Sequence, residues 1–380
     1  MTKKITVLYW SPSIVNIATN KAVINSAYSL KKFNDKYQCA IFNFFGEFER
    51  FKKNIFEKKL NLVNFYNNKI FKLLPKHGKL ASRFSFILIF FLGFMPLYKK
   101  LKKDEPDFLI IHLITSLPLI LLIFFNFKTK FILRISGFPR LNFFRKIIWK
   151  LALKKIHIVT CPTINTLEYL KKLNFTNQSK IKLLYDPVFS IKEVNINKKK
   201  KIYDYKNYYL SVGRLTHQKN FLFLCRAFKE ITKINKELKL IIAGDGEDKK
   251  KLLKYIKKNK LESNILIIGY VHNIYPLFKN SKGFILSSLW EDPGFVLIEA
   301  AICKTPVLSS DVRPGPTEII KNNINGILYK SNDLEEFVRK FHILDNEKTS
   351  KNLILNNLKT AKKFSLFDHY KNLNVILSIN

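Results

Sequence analysis

The sequence predicts an α/β protein of two doubly wound domains, each a parallel sheet with helices on both faces. Short apolar runs alternate with longer helical segments along most of the chain, which is typical of this architecture. A chain of 380 residues is too long for one small domain, and its hydrophobic fraction of 47% is sufficient for two cores. Residues 191–203 are low in complexity and include a run of four lysines, so they predict an interdomain linker.

The position of this linker defines the expected domain boundaries. The first domain should span residues 1–190, and the second should span residues 204–362. The last segment, 363–380, begins at a break around Ser365 and continues with a helical apolar pattern. We expect this C-terminal helix to pack back on the first domain.

The first domain shows the alternation in short apolar strands and longer helices. The expected strands are Ile5–Tyr9, Tyr37–Phe44, Phe108–Ile111, Lys130–Arg134 and Ile156–Val159, and the expected helices are 20–33 and 141–154. Residues 49–105 are rich in lysine and are predicted to be mostly helical.

Two apolar stretches of this domain would score as hydrophobic in a search for membrane spans. Residues 84–97 are short for a span, so they indicate either a core helix or, because basic residues flank them, a helix lying on a membrane surface. Residues 108–127 are longer, but polar residues from His112 to Ser116 interrupt them. We predict a strand, a polar turn and an apolar helix there, with a true span as the alternative.

The second domain alternates more regularly. Its expected strands are 209–212, 238–243, 264–268, 283–287 and 306–309, and its expected helices are 221–234, 247–258, 274–280 and 293–302. Two doubly wound domains that face each other across a cleft would bind ligands at the carboxyl ends of their strands.

The net charge of +39 suggests an anionic partner. The first 190 residues carry 33 Lys+Arg against 9 Asp+Glu, which favours an anionic membrane or a phosphate-bearing ligand. The lysines are dispersed and lack the aromatic companions of an RNA-binding module, so nucleic-acid binding is the weaker interpretation. Four cysteines without metal-ligand spacing, and the absence of a signal peptide, predict free thiols in a reducing cytoplasm.

The most informative segment runs from Trp290 to Ala300 and places two carboxylates, Glu291 and Glu299, on either side of a predicted helix start. Asp292 is a good N-cap, and the following proline suits the first helical position. Gly294 lets a ligand approach the backbone, and the free amides of a helix start bind anions. The segment could therefore hold a sugar, a phosphate and a ribose side by side.

Further motifs surround this segment. Ser211–Leu215 is followed by Lys219, Gly269–His272 follows the third strand, and Arg313–Ile320 follows the fifth. Together with Glu291–Glu299, these motifs resemble the retaining glycosyltransferases of family four, which have the GT-B fold, and in particular the bacterial surface-polysaccharide subgroup. The resemblance is strong over about 205–330, moderate over 105–190 and weak before residue 105.

The resemblance implies roles for individual residues. Arg214 and Lys219 would bind the diphosphate of a nucleotide-sugar donor without a metal or another cofactor, Glu291 would lie near the transferred sugar, and Glu299 would bind the ribose. Donor contacts are also implied for Gly213, Val271, Gly294 and Phe295. His112 in the first domain would face the sugar as a catalytic residue. The loop before residue 20 lacks the glycines that relatives carry, and Thr19 and Asn20 stand there as possible phosphate or acceptor contacts.

The expected function is thus hexosyl transfer from a nucleotide sugar, with UDP as the expected nucleotide, to a polyprenyl-linked or glycolipid acceptor in lipopolysaccharide, O-antigen or capsule synthesis. The enzyme would be cytoplasmic and peripheral on the inner face of the plasma membrane. A phosphorylase or a sugar-nucleotide epimerase on the same fold is the first alternative. A nucleic-acid-binding protein and an inactive scaffold subunit are the others.

Overall fold

A computed structural model describes residues 4–13, 18–44, 46–66, 79–139, 141–200 and 204–379. The chain divides into two compact units. Unit one comprises Met1–Pro187 together with Leu366–Asn380, and unit two comprises Val188–Ser365.

Unit one contains a parallel sheet in the order β3-β2-β1-β4-β5-β6-β7. Its described strands are β1 Ile5–Trp10, β2 Tyr37–Asn43, β3 Asn61–Asn64, β4 Phe108–Ile111, β5 Lys130–Arg134, β6 Ile158–Cys161 and β7 Ile181–Leu183. Its described helices are α1 Ala18–Phe33, α2 Lys52–Glu57, α3 Lys79–Asp104, α4 Ser116–Phe124, α5 Phe143–Lys155 and α6 Ile164–Leu173, with short 3₁₀ turns at Glu49–Phe51 and Gln178–Lys180.

Strand β1 lies in the middle of this sheet, between β2 and β4, and both of its faces are buried. Leu8 and Trp10 join the core on one side, while Val7 and Tyr9 join the core on the other side, as the two-residue period of a strand requires. An uninterrupted apolar strand is the expected signature of a sheet that is covered on both faces.

Unit two contains a parallel sheet in the order β10-β9-β8-β11-β12-β13. Its described strands are β8 Tyr208–Val212, β9 Lys239–Ala243, β10 Ile265–Gly269, β11 Gly283–Leu286, β12 Val307–Ser310 and β13 Ile327–Tyr329. Its described helices are α7 Ile191–Asn197, α8 Phe221–Ile234, α9 Lys249–Lys258, α10 Tyr275–Asn280, α11 Phe295–Ile302, α12 Gly315–Ile319, α13 Leu334–Asp345 and α14 Glu347–Ala361, with 3₁₀ turns at His217–Lys219 and Lys362–Phe364.

The fold class is confirmed, because each unit is a parallel sheet of the Rossmann type. The predicted strands Phe108–Ile111 and Lys130–Arg134 have the predicted bounds, and so does the helix Phe221–Ile234. The stretch 108–127 forms a strand, a turn and the apolar helix α4, so its polar break separates two elements. Within the described ranges, no helix combines the length and the hydrophobicity that a membrane crossing needs.

The stretch 84–97 lies within helix α3, and its two faces have different surroundings. Ile89 and Leu97 are buried in the core of unit one, whereas Ile87, Phe91 and Met95 are exposed at four-residue spacing. The core interpretation therefore holds for one face of the helix only.

Two predictions about local structure are wrong. Helix α11 begins at Phe295 rather than at residue 293, and its N-cap is Gly294 rather than Asp292. Gly294 has φ +92°, a conformation that glycine adopts without steric cost and that ends the preceding segment just before the helix. The expected linker 191–203 begins with helix α7, because Val194 is buried and holds that segment in unit two. Residues 201–203 lie outside the described part of the chain.

The C-terminal helix α15, Leu366–Leu377, packs against α1 and belongs to unit one. His369 joins the two helices, since its Nδ1 lies 2.7 Å from the Tyr185 carbonyl oxygen and its Nε2 lies 2.8 Å from Ser26 Oγ. A carbonyl can only accept, so Nδ1 carries the proton and the Ser26 hydroxyl donates to Nε2. Burial lowers the pKa of His369 to about 3, so the ring is neutral.

Candidate active site

The loop that follows β8 lies at the carboxyl edge of the second sheet and packs closely on the turn after β9. Gly213 N donates to Ala243 O at 3.1 Å, and Leu215 N donates to Asp245 O at 3.0 Å. A Cβ added to Gly244 would lie 1.8 Å from Gly213 O. Only glycine allows this contact, so the turn supports the loop that carries Arg214.

Lys219 ends the 3₁₀ turn of the same loop and points back along it. Its Nζ donates to Glu291 Oε1 in an ion pair that is largely buried on both sides. The Lys219 side chain passes over Gly213, where an added Cβ would lie 3.0 Å from Lys219 Cε. The lack of a side chain at Gly213 therefore leaves room for the lysine.

Glu291 is the centre of a small polar cluster. The carboxylate oxygen that pairs with Lys219 also accepts from Ser288 Oγ at 2.7 Å, and the Glu291 carbonyl accepts from Gly315 N at 3.0 Å. A Cβ at Gly315 would lie 2.1 Å from Pro293 O, so this residue too must be glycine for the segments to meet. The cluster holds Glu291 as the counter-ion of Lys219 in a fixed position.

Arg214 is exposed next to Gly213, and no ion pair to its guanidinium occurs in the described part of the chain. Its backbone is fixed, because the Arg214 carbonyl accepts from Thr216 N at 2.8 Å. The loop thus presents one solvated cation, Arg214, and one cation that already has a carboxylate partner, Lys219.

The remaining predicted donor contacts lie at the ends of neighbouring strands. Gly294 and the half-buried Phe295 form the start of α11, and Glu299 is half-buried in its second turn. Burial raises the pKa of Cys303 to about 12, and the nearby Glu299 carboxylate contributes to this shift. Val271 is half-buried in the loop after β10, where Gly269 O accepts from Gly244 N at 2.7 Å.

His112 directly follows β4 in unit one and is buried, with its backbone nitrogen donating to Trp10 O at 2.8 Å. Its Nδ1 lies 3.3 Å from Ser136 Oγ. Burial, with smaller contributions from Arg134 and His369, holds the pKa of His112 well below its usual range. A neutral imidazole at a strand end can exchange hydrogen bonds with a hydroxyl group.

The structure places Thr19 and Asn20 differently from each other. Thr19 is half-buried in the first turn of α1, whereas Asn20 is fully buried. The Asn20 amide donates to Glu47 O and to Ser13 Oγ, both at 3.3 Å, so it connects three segments of unit one. The Asn20 side chain therefore holds these segments of unit one together. Residues 14–17 of the predicted loop lie outside the described residues.

Residues 193–360 match the family model for glycosyl transferases group 1. This segment of the chain is therefore similar to the group 1 glycosyl transferases. An uncharacterized glycosyltransferase of Methanocaldococcus jannaschii is 32% identical over 247 residues, which cover 60% of this chain and 61% of the archaeal protein. An alpha-1,4-N-acetyl-D-galactosaminyltransferase of Campylobacter jejuni, named for a PP-undecaprenol-linked saccharide, is 26% identical over 318 residues, covering 83% of this chain and 84% of that enzyme.

Solved structures support the fold of this chain. Anabaena HepE, solved in complex with UDP, aligns over 99% of both chains with a TM-score of 0.72 at 15% sequence identity. The two parallel-sheet units thus form a GT-B protein, as the motifs predict.

Several residues that support the candidate site were given no role in ligand binding or catalysis by the sequence. Ser288 supports Glu291 from three positions upstream, and the glycines at 244 and 315 are spacers between backbones rather than ligand contacts. In unit one, buried Arg134 donates to Asp186 Oδ1 at 2.7 Å, although they lie 52 positions apart. A basic residue at the end of an apolar strand was the available signal for Arg134.

Proposed function

We propose that this chain transfers a sugar from a UDP-sugar to a saccharide carried on a lipid diphosphate, with retention of the anomeric configuration and without a metal. The observation that carries the proposal is the cluster of Lys219, Glu291 and Ser288 beside exposed Arg214 at the carboxyl edge of the second sheet. This cluster lies inside the segment that matches the family model. Ligands of doubly wound sheets bind at that edge.

The donor half of the proposal assigns one part of the donor to each element of unit two. Arg214 and Lys219 bind the diphosphate, since fixed cations bind and stabilise a phosphate leaving group. The amides of Gly294 and Phe295, at the start of α11, assist them. Glu291 binds hydroxyls of the transferred sugar, Glu299 binds the ribose, and Val271 contacts the base.

The ion pair between Lys219 and Glu291 implies an order in which the contacts to the donor form. A diphosphate that takes Lys219 as its partner releases the Glu291 carboxylate, which Ser288 still holds in position. The carboxylate can then accept hydrogen bonds from sugar hydroxyls. Donor binding therefore converts one internal ion pair into two ligand contacts.

In the chemical step, the bond between the anomeric carbon and the β-phosphate oxygen breaks, and a bond from the acceptor oxygen to that carbon forms. The acceptor proton passes to the leaving phosphate, so the proposal needs no separate protein base. The Campylobacter relative is named as an alpha transferase. Most UDP-sugars carry an α-linked sugar, so an α product here would mean retention.

Unit one is the proposed acceptor side, with His112 as its catalytic candidate. Its imidazole is neutral and can hydrogen-bond a sugar hydroxyl without adding a charge. The lipid-linked acceptor is supported by the name of the Campylobacter relative and by the basic first half of the chain.

A surface of unit one suits a peripheral protein on the inner face of an anionic membrane. Helices α3, α4 and α5 pack side by side on one face of the sheet. We define their outer surface as the apolar–basic face, and its exposed apolar residues are Ile87, Phe91 and Met95 on α3 and Phe143 and Phe144 on α5. Lysines at 99, 100, 102 and 103 adjoin it, and apolar area next to lysines favours anionic lipid surfaces.

A screen of nucleotide sugars tests the donor half. A UDP-sugar at 100 times its Kd should stabilise the folded protein by about 2.7 kcal/mol and raise its melting temperature. The same sugar should yield UDP together with an α-linked product on a short prenyl-diphosphate saccharide. An epimerised donor without UDP release, or stabilisation by no nucleotide sugar, would refute the proposal.

A further inference from the structure

A cavity of about 370 Å³ lies in unit one. It is bounded by the carboxyl ends of β4 and β5, the loops that follow them, and the first two turns of α5. Its volume is in the range of small-molecule sites. Its position at strand ends is where doubly wound sheets bind ligands.

The charge inside this cavity comes from arginine. Among the described residues that line it, none is acidic, and the ionisable ones are His112, Arg134 and Arg145. Arg134 is already paired with Asp186 and also donates to Leu184 O, and His112 is neutral. Arg145 is the second arginine of the lining and carries a positive charge.

Arg145 is held in place at the start of α5. Its backbone nitrogen donates to Asn142 Oδ1 at 2.9 Å, and its guanidinium carbon lies 5.4 Å from the centre of the Trp149 ring. Trp149 is buried, so the ring is a fixed platform for the guanidinium. Although the Arg145 side chain is exposed by surface area, partial burial of the guanidinium lowers its pKa, and the group stays charged.

The cavity that Arg145 lines has both polar and apolar side chains. Ile114, Ile135 and Phe138 line the cavity, and the exposed rings of Phe143 and Phe144 immediately precede Arg145 in the first turn of α5. A fixed cation that lines this cavity and directly follows two exposed aromatic rings in the chain matches an amphiphile whose anionic group is attached to a hydrocarbon chain. A free sugar phosphate would leave the two rings unused.

We propose that this cavity binds the diphosphate of the lipid-linked acceptor, with Arg145 contacting a phosphate oxygen and Phe143 and Phe144 contacting the first prenyl units. The inference rests on the proposed function and adds an acceptor site to it. Because the two rings belong to the apolar–basic face, a prenyl chain that leaves the cavity would continue into a membrane bound there.

Farnesyl diphosphate is a suitable probe, titrated into the full-length protein by calorimetry. Arg145→Gln should weaken its binding at least tenfold, because a charge-assisted phosphate contact is lost. Lys150→Gln removes a charge one turn further along the same helix, outside the cavity lining, and should change binding less than twofold. Phe143→Ser combined with Phe144→Ser should also weaken binding, and since both rings are exposed the fold should be retained.

Three further measurements separate the possible sources of binding. Inorganic diphosphate and farnesol should each bind at least tenfold more weakly than farnesyl diphosphate, and equal binding of either would overturn the proposal. Equal losses in Arg145→Gln and Lys150→Gln would overturn it as well. UDP affinity should be unchanged in Arg145→Gln, and a matching loss of UDP affinity would assign the arginine to the donor. If the wild-type protein binds farnesyl diphosphate but no UDP-sugar, the proposed function fails and the site remains.

Discussion

The two units place polar groups at the carboxyl edges of similar parallel sheets, but they build these sites in different ways. In unit two, backbones touch where glycines stand, as where Gly244 meets Gly213 O, and the charged residues come from loops next to these contacts. In unit one, the cavity depends on side-chain contacts, such as the long-range pair of Arg134 with Asp186 and the contact of Arg145 with Trp149 within one helix. The proposed donor side therefore leaves a readable motif in the sequence, whereas the proposed acceptor side leaves almost none.

The largest expected effect comes from the glycine contacts of unit two. Gly244→Ala should destabilise unit two by about 3 kcal/mol or more, because its Cβ would lie 1.8 Å from a backbone oxygen that has to move. Gly137→Ala in unit one is the matched control, since an added Cβ there has no atom within 4 Å, and it should change stability by less than about 0.5 kcal/mol. Urea unfolding measures the free energy of unfolding of both variants. Equal losses would contradict the proposal that backbone contacts at glycines distinguish unit two from unit one.

Next in size is the loss of the two donor cations. Arg214→Gln combined with Lys219→Gln should lower kcat/KM about 10²–10³-fold, because the developing charge on the leaving diphosphate loses both partners. Lys258→Gln at the exposed end of α9 is the control for charge alone. UDP release measures the rate, and activity within about threefold of wild type would exclude the diphosphate role.

Unit one contains a buried histidine, His369, that should make its stability sensitive to acid. The pKa of buried His369 is lowered to about 3, so its contribution to stability is present above the ordinary histidine pKa of about 6.5 and is lost as pH falls from there towards 3. His112 is shifted in the same direction. Between pH 6.5 and pH 3, His369 should lower the free energy of unfolding by up to about 1.4 kcal/mol for each pH unit.

Tryptophan fluorescence can follow this loss, because Trp10 and Trp149 lie in unit one. A Trp290→Phe background removes the signal of unit two. In His369→Gln the pH slope of the unfolding free energy should fall by about one proton per molecule. An unchanged slope would show that burial does not keep the His369 ring neutral.

The smallest expected effect is a change in UDP affinity. The affinity should rise when Glu291 loses its charge and fall when Glu299 loses its charge. Glu291→Gln should raise UDP affinity about threefold to tenfold, because Lys219 no longer has a competing carboxylate, while sugar transfer falls. Glu299→Gln should lower UDP affinity by a similar factor if it binds the ribose. Nucleotide titration by calorimetry tests both, and a shift of the same sign in both variants would contradict the division of roles.

The sequence alone determined the class of fold and pointed to the segments of the proposed donor site. Strands such as Phe108–Ile111 are continuous apolar runs because both faces of their sheet are covered, and a local pattern carries that information. The family resemblance pointed to both Lys219 and Glu291, and the structure brings them together although they lie 72 positions apart, because loops at neighbouring strand ends converge in a doubly wound sheet.

Only the tertiary structure decided how these residues are used. Gly294, not Asp292, caps α11, because the backbone there has the positive φ that glycine tolerates, and propensity alone favoured the aspartate. Asn20 was a candidate ligand contact, but it holds Ser13 and the Glu47 backbone together inside unit one. The segment from residue 191 looked like a solvated linker, yet buried Val194 makes it part of unit two. Composition and spacing cannot show which partner a polar or apolar side chain finds, since that depends on contacts between positions far apart in the chain.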